Sequence, residues 1–109
     1  MNKKEFDLEE LSQVAFQIIT HAGEAKSEAM LAIYSAKEGK FDEAEDKIKL
    51  ANKSINIASE QHFELIQEEA KGNKVVPSLL LMHAEDQLLS TQTLILMAEE
   101  IVQLYKKIK

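Results

Sequence analysis

The sequence predicts an all-α fold, an antiparallel bundle of three long helices in a single domain spanning residues 1–109. Three Gly and one Pro among 109 residues leave room for very few turns. Residues with high helical propensity fill the stretches between these turns. Within those stretches, apolar residues recur at alternating spacings of three and four, which is typical of long helices packed side by side.

The first helix is predicted from about Asp7 to Lys37. Asp7 is followed three residues later by Glu10, which fits a capping box, and Gly39 ends the helix. We expect Gly23, inside this helix, to permit the close approach of a neighbouring helix. The predicted buried stripe consists of Leu8, Leu11, Ala15, Ile18, Ala22, Ala25, Ala29, Ala32 and Ala36.

The second helix is predicted from about Glu43 to Ala70. Asp42 is a suitable N-cap, Glu45 completes a capping box, and Gly72 is a suitable terminator. Its predicted buried stripe consists of Ala44, Ile48, Ala51, Ile55, Ala58, His62 and Leu65.

The third helix is predicted to start near Pro77 and Ser78, with Pro77 in its first turn, and to end at about Lys107. Its apolar residues spread around more than one face: Leu80, Leu81, Leu88, Leu94, Ile95, Ala98, Ile101 and Val102. Such a helix requires cover on several sides, and two neighbours cannot easily supply it. We therefore expect the third helix to pack against copies of itself in a closed cyclic oligomer.

Charge and composition exclude several classes of function. Nineteen acidic and 13 basic residues give a net charge of −6, which argues against nucleic acid and anionic membranes and favours a basic protein partner. The absence of Cys excludes disulfides and thiolate catalysis. The apolar runs, such as residues 79–82, are far shorter than a membrane span, and no segment resembles a signal peptide. We expect a cytoplasmic protein without direct membrane insertion.

The candidates for chemistry are three histidines, none at the four-residue spacing typical of helical zinc pairs. We interpret His21 and His62 as structural. His83 is followed on one helix face by Asp86, Gln87 and Ser90. Polar residues on a probable packing seam need partners, so this face is either a satisfied structural network or a site, and spacing alone leaves both open.

Four stretches resemble one known family in the same order along the chain. They are residues 79–89 (LLLMHAEDQLL), 19–27 (ITHAGEAKS), 36–44 (AKEGKFDEA) and 98–107 (AEEIVQLYKK). The first is similar to a family motif of a few apolar residues followed by His-Ala-Gln-Asp-His-Leu. The family is the enzyme IIA component of the lactose, cellobiose and chitobiose class of the phosphoenolpyruvate-dependent sugar phosphotransferase system.

The resemblance implies that the chain is a phosphocarrier. His83 would accept a phosphoryl group from HPr and pass it to a cysteine of the sugar-specific IIB component, with the membrane component IIC involved indirectly. The transported sugar would be a β-disaccharide such as cellobiose, lactose or chitobiose. As our own hypothesis, Ser90 or Gln87 would either donate hydrogen bonds to the phosphoryl oxygens or only support the helix.

The resemblance also implies a homotrimer, a nine-helix bundle with the third helices near its axis. Asp86 would bind a divalent cation on that axis, expected to be Mg²⁺. Three carboxylates meeting there repel one another, and a hard cation with oxygen ligands relieves the repulsion.

The chain departs from the family pattern at three places. Glu85 and Gln87 replace the Gln and second His of the motif, and His62-Phe63 replaces an expected Gln-Thr. These departures alter the hydrogen bonding and charge expected around the site, but they leave His83 itself in place.

Two other functions remain open from the residues. The turn in residues 36–44 also resembles a tetratricopeptide-type repeat of a non-catalytic helical interaction module, although such repeats usually come in threes and one is present. A two-component histidine phosphotransfer domain is a four-helix bundle, typically with Lys then Gly soon after its histidine, and neither follows His83.

Overall fold

The computed structural model describes residues 5–108, and it confirms the all-α fold with three long helices. They are α1 (Leu8–Lys37), α2 (Phe41–Ala70) and α3 (Leu79–Ile108), each of 30 residues. The bundle is a slim rod of 62 × 20 × 17 Å. α1 packs extensively against both other helices, whereas α2 and α3 contact each other less.

A pair of two-residue strands was not predicted. β1 (Glu5–Phe6) pairs in parallel with β2 (Lys74–Val75), in the linker between α2 and α3. Strands of two residues are too short to show a detectable periodicity in the sequence. The pairing connects the residues before α1 to the linker that leads into α3.

The start of α1 agrees with the prediction, and the start of α2 does not. The Asp7 side chain accepts a hydrogen bond of 2.8 Å from the backbone N–H of Glu10. α2 begins two residues before the predicted Glu43, with Lys40 in the cap position and no side-chain cap. The prediction of Asp42 as N-cap is therefore wrong, because the preceding turn is tighter than expected.

The turn before α2 is closed by backbone groups. Gly39 adopts a φ of 81°, and the N–H of Lys40 donates to the carbonyl of Ser35 at 2.9 Å. This is the geometry of a glycine-terminated helix end, in which a left-handed residue lets the chain reverse at once. Asp42 then lies in the first turn of α2, where an acidic side chain complements the helix dipole.

The start of α3 differs from the prediction by one or two residues. The Ser78 hydroxyl accepts a hydrogen bond of 3.0 Å from the N–H of Leu81, so Ser78 caps the helix. Pro77 precedes this cap and is not in the first turn. At the end of α2, Gly72 adopts a φ of 92°, which agrees with its predicted role as terminator.

The core lies along the predicted stripe of α1. Every member of that stripe is buried except Leu8, which is 65% exposed. Most of these residues are alanines, and small side chains at a helix contact allow the axes to approach closely. The expected close approach at Gly23 is wrong, because a Cβ placed there meets nothing within 4 Å.

α3 presents a largely apolar face to the outside of the single chain. The residues named from its sequence are buried or half-buried within the bundle. The uncovered ones are Leu79, Met82, Leu89, Leu96, Met97, Leu104 and Ile108. The bundle therefore leaves α3 without cover on one side, as expected. The uncovered residues are not the ones named from the sequence.

Polar contacts connect α2 to α3 at three levels. The Asn52 amide donates to the Glu99 carboxylate at 3.2 Å, and His62 Nε2 lies 2.7 Å from Glu85 Oε2. Near the C-terminus of α3, Lys106 donates to the Glu45 carboxylate. These contacts bridge the two helices that pack least extensively against each other.

The hydrogen bond from Lys106 holds the pKa of the Glu45 carboxylate below its ordinary value of 4.5. A lowered folded-state pKa stabilises the fold above the unfolded value, and this contribution is lost as the pH falls through the folded value. We expect Glu45→Gln to reduce the free energy of unfolding at neutral pH by at most about 1 kcal/mol, because the pair is solvent-exposed. The difference from the parent chain should disappear in acid.

Urea denaturation at a series of pH values measures this difference. Asp46→Asn is the matched control, because Asp46 is an exposed neighbour without an ion pair to another described residue. A Glu45→Gln defect that persists unchanged in acid would contradict the ion-pair explanation.

Candidate functional site

His83 lies in the second turn of α3, at the end of the bundle where α1 begins and α2 ends. Its side chain is exposed, and it makes no hydrogen bond or ion pair with any other residue between 5 and 108. The imidazole is therefore accessible from solvent and is not engaged by a neighbour. Imidazole is a competent nucleophile near neutral pH.

Apolar side chains surround His83. Leu79 is 83% exposed and Met82 is 59% exposed. With Leu80 and His83 they line an open surface cavity of about 700 Å³. Exposed apolar groups beside an accessible nucleophile are typical of a surface that another protein covers.

The polar residues predicted to share a face with His83 differ in their exposure to solvent. Asp86 and Ser90 are exposed on the same side of α3, whereas Gln87 is half-buried at its edge. The Ser90 hydroxyl donates to the carbonyl of Asp86 at 2.8 Å, so in this state it bonds to its own helix. The Asp86 carboxylate makes no bond to any side chain in the described part of the chain.

A second cavity lies beside the first, between α2, the linker and α3. It has a volume of about 170 Å³ and includes Met82 in its wall. His62 and Glu85 meet across it at 2.7 Å, with side chains 16% and 40% exposed. The interpretation of His62 as a packed histidine did not include this partner, because sequence spacing gives no information on contacts between different helices.

The remaining histidine is far from this end. His21 Nδ1 lies 3.5 Å from the Glu24 carboxylate one turn along α1. Within residues 5–108, no three His, Asp or Glu side chains lie close enough together to hold a metal ion. A cation at Asp86 would therefore need carboxylates from further copies of the chain.

The end of the bundle that carries His83 is strongly acidic. Nine carboxylates and two lysines fall within residues 7–22 and 56–91, whereas the other half of the described bundle carries nine carboxylates and eight lysines. The carboxylates near His83 include several at the C-terminal end of α2, where the helix dipole disfavours negative charge. The potential at this end therefore favours a basic partner.

A family model described as the lactose/cellobiose-specific IIA subunit of the phosphotransferase system matches residues 13–106. The chain belongs to this IIA family. This match confirms the family predicted from the four sequence stretches. Its members are phosphotransfer proteins.

Individual IIA proteins are similar to this chain along nearly their whole length. The lichenan-specific phosphotransferase enzyme IIA component of Bacillus subtilis is 45% identical, over 92% of this chain and 91% of that protein. The crystal structure of the cellobiose-specific enzyme IIA of Bacillus anthracis has a TM-score of 0.88 and 42% identity, covering 94% of this chain and 93% of the other.

A complex with HPr is among the similar structures. The solution structure of IIA(chitobiose) bound to HPr, from the N,N′-diacetylchitobiose branch of the Escherichia coli phosphotransferase system, has a TM-score of 0.79 and 28% identity. It covers 90% of this chain and 95% of that one. In the part of this IIA chain that the structure describes, no helix is both long and apolar enough to cross a membrane.

Proposed function

We propose that this IIA chain is a cytoplasmic phosphocarrier that accepts a phosphoryl group from HPr on His83 and passes it to a cysteine of its IIB partner. The observation that carries the proposal is the exposed His83 imidazole, which has no partner among residues 5–108 and lies beside exposed apolar side chains on a IIA fold. The phosphoryl group would serve the uptake and phosphorylation of a β-disaccharide such as cellobiose, lactose or chitobiose by the membrane component IIC. The names of similar IIA proteins include cellobiose, lactose and chitobiose.

The proposed chemistry is two successive displacements at phosphorus. An imidazole nitrogen of His83 attacks the phosphoryl group of phospho-HPr, a nitrogen–phosphorus bond forms, and the bond from phosphorus to HPr breaks with its electron pair left on HPr. In the second step the IIB thiolate attacks, a sulfur–phosphorus bond forms, and the electron pair returns to His83. In-line positioning and charge stabilisation supply most of the catalysis in such transfers.

Supporting roles for Gln87 and Ser90 are part of the proposal. Both follow His83 on neighbouring turns of α3. Ser90 can donate its hydroxyl hydrogen to a phosphoryl oxygen when that hydrogen leaves the carbonyl of Asp86. The Gln87 amide, half-buried at the edge of the same face, can also donate.

The surface around His83 supports docking of HPr. Leu79 and Met82 supply exposed apolar area, and the surrounding carboxylates supply a negative potential. An apolar centre with a charged rim is typical of transient protein interfaces, in which complementary charge raises the rate of encounter. The solution complex of IIA(chitobiose) with HPr supports the choice of this partner.

The outward face of α3 supports the proposal of a homotrimer. Seven large apolar residues on the outward face of α3 are exposed in the single chain, and monomeric proteins rarely leave so much apolar area on one face in water. Asp86, Thr93, Glu100 and Lys107 follow one another at seven-residue intervals within this face. We therefore propose that three copies of α3 pack in parallel around a threefold axis.

A divalent cation, expected to be Mg²⁺, is proposed at Asp86 on that axis. The fit is chemical: the Asp86 carboxylate is exposed on the outward face of α3 and has no partner among the described side chains. Three such carboxylates would offer oxygen ligands to a hard cation, which would reduce their mutual repulsion. In this proposal the cation stabilises the assembly.

Replacing the proposed nucleophile tests the carrier function. We expect the parent chain, mixed with phosphoenolpyruvate, enzyme I and HPr, to gain one acid-labile phosphoryl group, and His83→Ala to gain none. His83→Ala should remain folded, because the side chain is exposed and has no partner within residues 5–108. Intact mass spectrometry measures the gain, His21→Ala is the matched control, and phosphorylation of His83→Ala would refute the assignment.

Introducing charge into the outward face of α3 tests the trimer. We expect Leu89→Lys to convert the trimer to monomer at micromolar concentration, because the change buries three charges near one axis. Light scattering coupled to size-exclusion chromatography measures the mass. Leu50→Lys, at an exposed leucine of α2, is the control that should keep the trimer. A parent chain that is itself monomeric would contradict the trimer.

Neutralising Asp86 tests the cation. We expect Mg²⁺ to raise the melting temperature of the parent chain and to have little effect on Asp86→Asn, which lacks the charged ligand. The variant should still accept phosphate from HPr, because His83 is unchanged. Glu100→Gln, on the same face, is the control. An equal response of parent and Asp86→Asn to Mg²⁺ would exclude Asp86 as the ligand.

A further inference from the structure

The contact between His62 and Glu85 has no role in the phosphotransfer chemistry described above. Glu85 follows His83 by two residues, so the two side chains project about 200° apart around α3. Glu85 therefore points toward α2, where it meets His62 at 2.7 Å, while His83 points to solvent. An effect of Glu85 on His83 would be transmitted through the backbone of α3.

The other contacts at the start of α3 are apolar. Leu81 and Ala84 are buried in the core, and the half-buried Leu80 packs against it. Ser78 caps the helix but belongs to α3 itself and adds no bond to α2. Apolar contacts set the depth of the helix in the bundle, whereas a hydrogen bond to α2 also fixes a distance and an angle.

The cavity at this level increases the importance of the polar contact. The space of about 170 Å³ is lined by α2, the linker and α3, with Leu65, Val75 and Leu81 among its apolar walls and His62 and Glu85 as its polar pair. The bond from His62 to Glu85 spans this space. His62 is 16% exposed, so water competes less for this bond than it would for one on the open surface.

His62 and Glu85 also occupy positions at which the chain departs from the motifs it resembles. Glu85 stands where the resembled motif has Gln, His62-Phe63 stands where Gln-Thr is expected, and His62 and Glu85 contact each other. Two amides can make an uncharged hydrogen bond across the same gap. Amide variants of the pair therefore separate the effect of the hydrogen bond from the effect of charge.

We infer that the His62–Glu85 hydrogen bond is a positioning contact that holds the first turns of α3, and thereby His83, in the orientation needed for phosphoryl transfer. This inference rests on the proposed carrier function. Small displacements of a nucleophile from in-line geometry are costly, because much of the barrier reduction in such reactions comes from positioning. The bond contributes to the transfer step within the docked complex, whereas docking itself depends on the exposed face around Leu79 and Met82.

The test compares transfer rates from phospho-HPr by rapid-quench kinetics. For Glu85→Ala we expect kcat to fall roughly tenfold while KM for phospho-HPr changes by less than about twofold. Glu85→Gln and the double variant His62→Gln/Glu85→Gln should remain within about threefold of the parent, since both keep a hydrogen bond. Amide hydrogen exchange in residues 79–86 should become faster in Glu85→Ala and stay near the parent rate in the double variant.

Glu99→Ala is the matched control. It removes the contact with Asn52, another bond between α2 and α3, about 21 Å farther along the helix. A loss of general stability would affect this variant and Glu85→Ala alike, whereas a positioning role predicts a parent-like kcat for Glu99→Ala. His62→Ala removes the other partner and provides a second measurement when Glu85→Ala lowers the folded fraction.

The outcomes distinguish the inference from the function on which it rests. A parent-like kcat for Glu85→Ala, an equal loss in Glu99→Ala, or failure of the amide variants to restore the rate would overturn the positioning role and leave the carrier function intact. Absence of phosphoryl transfer to the parent chain would overturn the carrier function, and the positioning role with it.

Discussion

The close packing of alanines along α1 is the constraint on which the rest of the molecule depends. Ala15, Ala22, Ala25, Ala29 and Ala32 are fully buried, and together they form a smooth, narrow surface. Because small side chains permit short distances between helix axes, α1 packs against α2 and α3 at once. The larger aliphatic residues of α2 and α3 then fill the space beside α1. The core of the single chain is therefore formed by these three helices alone.

This arrangement leaves α2 and α3 in weaker contact with each other. Their mutual surface is bridged by polar pairs, of which Asn52–Glu99 and His62–Glu85 are examples. Such bonds require defined distances and angles, so they fix register more narrowly than apolar packing does. At the end that carries His83, the His62–Glu85 pair bridges α2 and α3 beside the cavity between them.

The same arrangement explains why the proposed active end is accessible. α3 uses one face for α1 and the edge of α2, and its outward face stays uncovered in the single chain. That face carries His83, Asp86 and seven exposed large apolar residues. In the proposed trimer most of these apolar residues are buried between copies. In the proposed function, the part around Leu79 and Met82, beside acidic helix ends, binds the partner proteins.

The sequence by itself determined the helices, their buried stripes and the family. The stripe of α1 was correct except at Leu8, and the motif around His83 identified the IIA family, because helical periodicity and short motifs are local properties of the chain. Tertiary structure decided the rest. The start of α2 depended on how tightly the chain turns at Gly39, and the absence of crowding at Gly23 depended on where the neighbouring helices lie. The partner of His62 stands 23 residues away on another helix, and pairing at that distance is set by the packing of whole helices, which no local pattern encodes.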